Sequence, residues 1–163
     1  MRQAHFKKGL SLVEVLVGVS ILLLAFLGLI TAYNRFIRAS FNTVPTIKAS
    51  YLLEEGAEAM KILRDTGWAT KIAPLSTTTT YALSFATSTA LWSATTTKLY
   101  TDTIFYRTFT ITDLKRDANS DISTSTGSYD ANVKMINLSV AWKDRSATTT
   151  RQFSIYLTNL FKN

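Results

Sequence analysis

Lys7-Lys8-Gly9-Leu10-Ser11-Leu12-Val13-Glu14-Val15, with the apolar run that continues from it to Ile30, decides how the rest of the chain is read. Two lysines and a glycine lead into 21 residues, Leu10 to Ile30, in which Glu14 is the one ionisable side chain. A helix of that length, rising about 1.5 Å per residue, is roughly as long as a bilayer's hydrocarbon core is thick. Positive charge beside a first span is retained in the cytoplasm, so residues 1–9 are expected inside and everything beyond the span outside. A carboxylate inside such a span costs about 2.5–3.5 kcal/mol on insertion scales and persists where it finds a partner. No lysine or arginine lies within two helical turns on the C-terminal side of Glu14. The sequence therefore directs it to an amine created by cleavage, to another subunit, or to the headgroup region.

A secretory signal peptide carries its small-residue cleavage site after the apolar region. Here Thr31-Ala32-Tyr33-Asn34-Arg35-Phe36 keeps a helical pattern, and the glycine at the polar-to-apolar junction is Gly9. The order of basic leader, glycine, G-L-S-L-V-E and apolar run resembles that of type IV prepilins, the precursors of pilins and pseudopilins. The resemblance implies that a prepilin peptidase cuts the leader after Gly9 and that the new N-terminus, Leu10, is methylated. It further implies that Glu14 pairs with the free amine of Leu10 on a neighbouring pilin subunit, neutralising both charges in a low-dielectric core. Lys7 and Lys8 supply the leader's charge. Two features depart from the family. The first mature residue is usually Phe or Met, and major pilins commonly have a proline within the span, whereas the first proline here is Pro45. Gly18 and Gly28 are candidates to loosen the helix instead.

Beyond the span the helical spacing continues. Tyr33, Phe36, Ile37, Ala49, Leu52, Leu53, Ala57, Met60 and Leu63 recur at intervals of three and four, the signature of one apolar face. Glu54, Glu55, Glu58, Lys61 and Arg64 fill the other side as a solvated surface. Pro45 is expected to bend or restart this helix, because it lacks an N–H and clashes with the preceding turn. Gly67, after Asp65 and Thr66, is expected to cap it in a left-handed conformation. The stretch Ala49–Trp68 also resembles the matching helix end of minor pilins and pseudopilins.

From Trp68 onward threonine, serine and aromatic residues favour strands. Tyr81–Phe85 and Thr103–Thr112 alternate, with Phe105, Phe109 and Ile111 on one face. Ile136, Leu138, Val140 and Trp142 alternate with polar neighbours, and Phe153, Ile155 and Leu157 repeat the pattern after a loop at 143–148. These two segments read as an antiparallel hairpin with one buried face. Its partner is the amphipathic helix 46–66. Between the strands, Asp117-Ala118-Asn119-Ser120-Asp121 has a D-x-N-x-D spacing that makes Asp117, Asn119 and Asp121 weak calcium candidates. The continuation of a calcium loop is missing, since Ile122 and Ser128 stand where glycine and glutamate are needed.

Enzyme classes are poorly served. The sole histidine, His5, lies in the leader, cysteine is absent, and no glycine-rich phosphate loop occurs. No cofactor is implied, and stability must come from packing, without disulfides. The formal charge of +7 includes Arg2, Lys7 and Lys8, which leaves +4 after cleavage, enough to favour anionic surfaces or nucleic acid without specifying either.

The expected protein is α+β: a long N-terminal helix, membrane-spanning in its first half and amphipathic in its second, packed on a small antiparallel β-sheet. Its parts are a cleaved leader 1–9, a transmembrane or filament-core helix 10–30, an amphipathic helix 31–66 and a β-rich head 67–163. It is expected to begin as a single-pass inner-membrane protein with an extracytoplasmic head and to end in a cell-surface or periplasmic filament as a minor pilin or pseudopilin. The alternative is a single-pass adhesin or DNA-binding module that forms no filament.

Overall fold

The computed structural model describes residues 11–144 and 147–161. It is an α+β arrangement of one long helix, α1 (Leu12–Thr66), and seven strands: β1 (Tyr81–Ala86), β2 (Leu91–Thr95), β3 (Tyr100–Thr101), β4 (Phe105–Arg116), β5 (Ile122–Ser123), β6 (Ser128–Asp144) and β7 (Ala147–Thr158). The chain forms two units divided between Thr43 and Val44. The first, as far as it is described, is helix alone. The second holds the rest of α1 and the whole sheet.

Pro45 lies inside α1 without ending it, so of the two expectations, a bend or a restart, the restart does not occur. Proline removes one N–H from the ladder, and the flanking residues stay helical around that single loss. The end of the helix also differs from expectation. Gly67 is extended (φ 162°, ψ 104°) rather than left-handed, and it opens a single π turn, Trp68–Ile72, that buries Trp68 and Ile72. Glycine suits the tight turn: a Cβ at position 67 would stand 2.7 Å from the Thr70 hydroxyl oxygen, which would have to shift.

The sheet is antiparallel throughout, in the order β2-β1-β4-β6-β7, with β3 and β5 as short additions to β4. Its centre follows the sequence alternation. Phe105, Phe109, Ile111, Ile136, Leu138, Val140 and Trp142 are buried, and against them lie Ala49, Leu53, Ala57, Met60 and Leu63 of α1. Gly56 belongs to the same face, because a Cβ there would meet Leu138 Cδ2 at 3.1 Å and Arg107 Cδ at 3.2 Å. Any side chain at position 56 therefore obliges Leu138 and Arg107 to give way by a few tenths of an ångström or more.

Three expectations about burial fail, each for a geometrical reason. Tyr33 and Phe36, placed by spacing on the buried face, are 66% and 73% exposed. The core takes its helical residues from Ala49 to Leu63, downstream of both. Phe153 is 47% exposed because β7 is an edge strand. A helix about 10 Å wide covers roughly two strands spaced about 4.8 Å apart, so a five-strand path leaves its margins uncovered. The loop expected at 143–148 is also shorter, since pairing persists to Asp144↔Ala147.

Candidate functional site

The expected processing residues Gly9 and Leu10, and the leader's charged Lys7 and Lys8, lie outside the described residues. Glu14 sits in the first turn of α1, and its backbone N–H donates to the Ser11 carbonyl at 3.0 Å. Its side chain is exposed and makes no ion pair among the described residues. Around and beyond it the helix is apolar on all sides and uncovered: Leu16, Ile21, Leu24, Phe26 and Leu29 are all 61–70% exposed. Ser20 and Thr31 do not break that character, because each hydroxyl donates to the carbonyl four residues back, at 2.8 Å. This helix is long and apolar enough to cross a membrane. Gly18 and Gly28 have open space where a side chain would project, and the helix continues through both.

The head contains polar groups that the alternation could have revealed. Arg107 lies between Phe105 and Phe109 on the inward side of β4 and is 5% exposed. Its Nη1 donates to the Leu52 carbonyl of α1 at 3.0 Å and stands 3.2 Å from Glu55 Oε2, while the guanidinium lies 5.2 Å from the Trp92 ring centre. Glu55, read from sequence as part of a solvated surface, is exposed and also ties helix to sheet through this ion pair. Lys134 shares the inward parity of Ile136 and Leu138 and is 4% exposed. Its ammonium donates to Asp113 and, at 3.1 Å, to the Tyr129 hydroxyl. Burial is the strongest single influence on Lys134 and lowers its pKa, but the bonds to Asp113 and Tyr129 together outweigh it and leave the pKa raised.

The calcium candidates form a turn. Asp117 Oδ1 accepts the backbone N–H groups of Asn119 and Asp121, both at 2.9 Å, and Arg116 Nη1 donates to the Ser120 carbonyl at 2.7 Å. Asp117 here plays the turn-forming part open to Asp and Asn. No group of three or more His, Asp or Glu side chains able to hold a metal occurs among the described residues.

Beside β7, an open groove of about 410 Å³ runs along α1, lined by Thr46, Ser50, Leu53, Glu54, Arg151 and Phe153 among others. It belongs entirely to the second unit. Compared with protein-family models, curated proteins and solved structures, the chain matches none. The functional reading therefore rests on the residues themselves.

Proposed function

We propose that this chain is a pilin-like subunit of a type IV pilus-like filament, cut after Gly9 and assembled through the first half of α1. The observation that carries the reading is Glu14, a lone carboxylate at the start of a helix otherwise apolar and uncovered to Ile30. Such a surface has two stable environments, lipid and the same surface of other copies. Before assembly the bilayer covers it, and in the filament its neighbours do. Glu14 is tolerated in the second setting because cleavage creates a cationic amine at Leu10, four positions before Glu14 in sequence, and no lysine or arginine within two helical turns on the C-terminal side could pair with it instead. Methylation of that amine preserves its charge. The prepilin peptidase and other pilin subunits are the partners, and the head stands on the extracytoplasmic side.

The test is Glu14→Ala in the full-length chain. The variant is expected to insert and to be cleaved normally but to be lost from sheared filament fractions. Incorporation at the wild-type level would overturn the pairing of Glu14 with Leu10.

A further inference from the structure

The sheet that forms the head has two open edges, and both carry exposed apolar side chains on the side that faces α1. At one margin Phe153 of β7 is 47% exposed beside the groove it shares with Leu53. At the other, Phe85 of β1 is 46% exposed and packs on Trp92 of β2 with ring centres 5.0 Å apart. β7 is twelve residues long, and its outer edge pairs with no strand among those described. A long open edge next to apolar surface is a template for another strand, and soluble proteins ordinarily guard such edges with charge, proline or a bulge. β7 has one charged residue, Arg151, and no proline.

We propose that β7 of one copy pairs with β2 of the next, so that neighbouring heads share a continuous sheet. The inference rests on the filament reading for its setting and on strand direction for its choice of partner. Every neighbour in β2-β1-β4-β6-β7 is antiparallel, and four antiparallel steps bring β2 and β7 to the same direction. Translating a second copy along the sheet therefore pairs β7 with β2 in parallel, keeps the helical layer on the same face and keeps the helices of both copies pointing the same way. Subunits anchored in one membrane need that arrangement. Pairing β7 with β7 instead is two-fold symmetric, runs antiparallel and points the two helices in opposite directions. The β7–β2 contact uses a different edge on each partner, so it is head-to-tail and can propagate along an open assembly. It also brings Phe153 of one copy beside Trp92 and Phe85 of the next, covering both exposed margins. Parallel pairing over the five residues of β2 is weak on its own. It acts once the N-terminal helices have raised the local concentration.

The chain has no cysteine, so introduced thiols report this contact without background. Register places Ser93 of β2 and Thr150, Gln152 and Ser154 of β7 on the sheet face away from α1. Adjacent strands hold such positions within disulfide reach. Full-length Ser93→Cys is co-expressed with Thr150→Cys, Gln152→Cys or Ser154→Cys in turn, and membranes and sheared filaments are oxidised. A disulfide dimer is expected in filaments for at least one mixture, at least tenfold above any single variant. Combining that pair in one chain should give a ladder of multimers. Dimers from the β7 cysteines alone, or no mixed dimer in either fraction, would overturn the edge pairing. The N-terminal residue, read by mass in the same samples, separates this from failure of the filament reading: a chain starting at Leu10 without mixed dimers loses only the edge contact, and an uncut chain loses the filament reading whatever its edges do.

Discussion

The two halves of α1 use the same kinds of residue to opposite ends. From Leu12 to Ile30 the large apolar side chains are half or more exposed, whereas Ala49, Leu53, Ala57, Met60 and Leu63 are at most 6% exposed. Helix propensity does not separate them, since both are rich in good helix formers. The arrangement of polar residues does. The second half alternates apolar and charged faces and so needs one partner, the sheet. The first half is apolar all round, and one sheet cannot satisfy a surface with no polar side. The comparison teaches that one continuous helix can be the core element of a folded head along one half and, along the other, an uncovered apolar rod long enough to cross a membrane.

The sharpest way to break this contrast is to truncate matched side chains in the two halves. Met60→Ala removes a fully buried side chain facing the sheet, and thermal or denaturant unfolding of the full-length protein should show a loss of about 2–5 kcal/mol. Leu22→Ala, at a position 61% exposed, should leave the unfolding of the head unchanged. Equal losses from both would mean that the first half is part of the head's core. A smaller effect is expected at Gly56, where the helix meets Leu138 and Arg107 of the sheet. Gly56→Leu must displace Leu138 and Arg107, and overpacking of this kind costs about 1–3 kcal/mol, readable in the same melts.

The smallest effect concerns charge in the head. The backbone N–H of Asn132, and then the Arg116 guanidinium 2.7 Å away, hold the Asp130 carboxyl below the ordinary carboxylate value. A depressed folded-state pKa contributes stability that is present above the unfolded value and is lost as pH falls through the folded one, so this contribution fades below about pH 4. Lys134 is raised, and its contribution is present below the ordinary lysine value and is lost as pH rises beyond about 10.4. Thermal melts should therefore lose stability at both extremes. Asp130→Asn should flatten the acid limb and leave the alkaline one in place.

Much of this was legible in the residues, for identifiable reasons. The long apolar helix reads from composition, and the central strands read from the strict alternation of Phe105, Phe109 and Ile111 and of Ile136 to Trp142. β2 was not legible. Its five residues, Leu91 to Thr95, are mostly exposed or half-exposed and carry little alternation. Phe153 misled because alternation reports which side of a sheet a residue takes and not how far the covering helix reaches. Arg107 and Lys134 occupied inward positions all along, but inward charge becomes credible only once Glu55 and Asp113 are brought beside them by the fold. Glu14 is the reverse case, since its charge is plain from sequence and no described residue forms an ion pair with it.

The most direct measurement is the intact mass of the membrane-extracted protein, with and without a co-expressed prepilin peptidase. The account predicts a chain that begins at Leu10 when the peptidase is present, with the mass of one added methyl group. A chain still beginning at Met1 beside an active peptidase would contradict it, leaving a single-pass anchor whose Glu14 has no amine to meet.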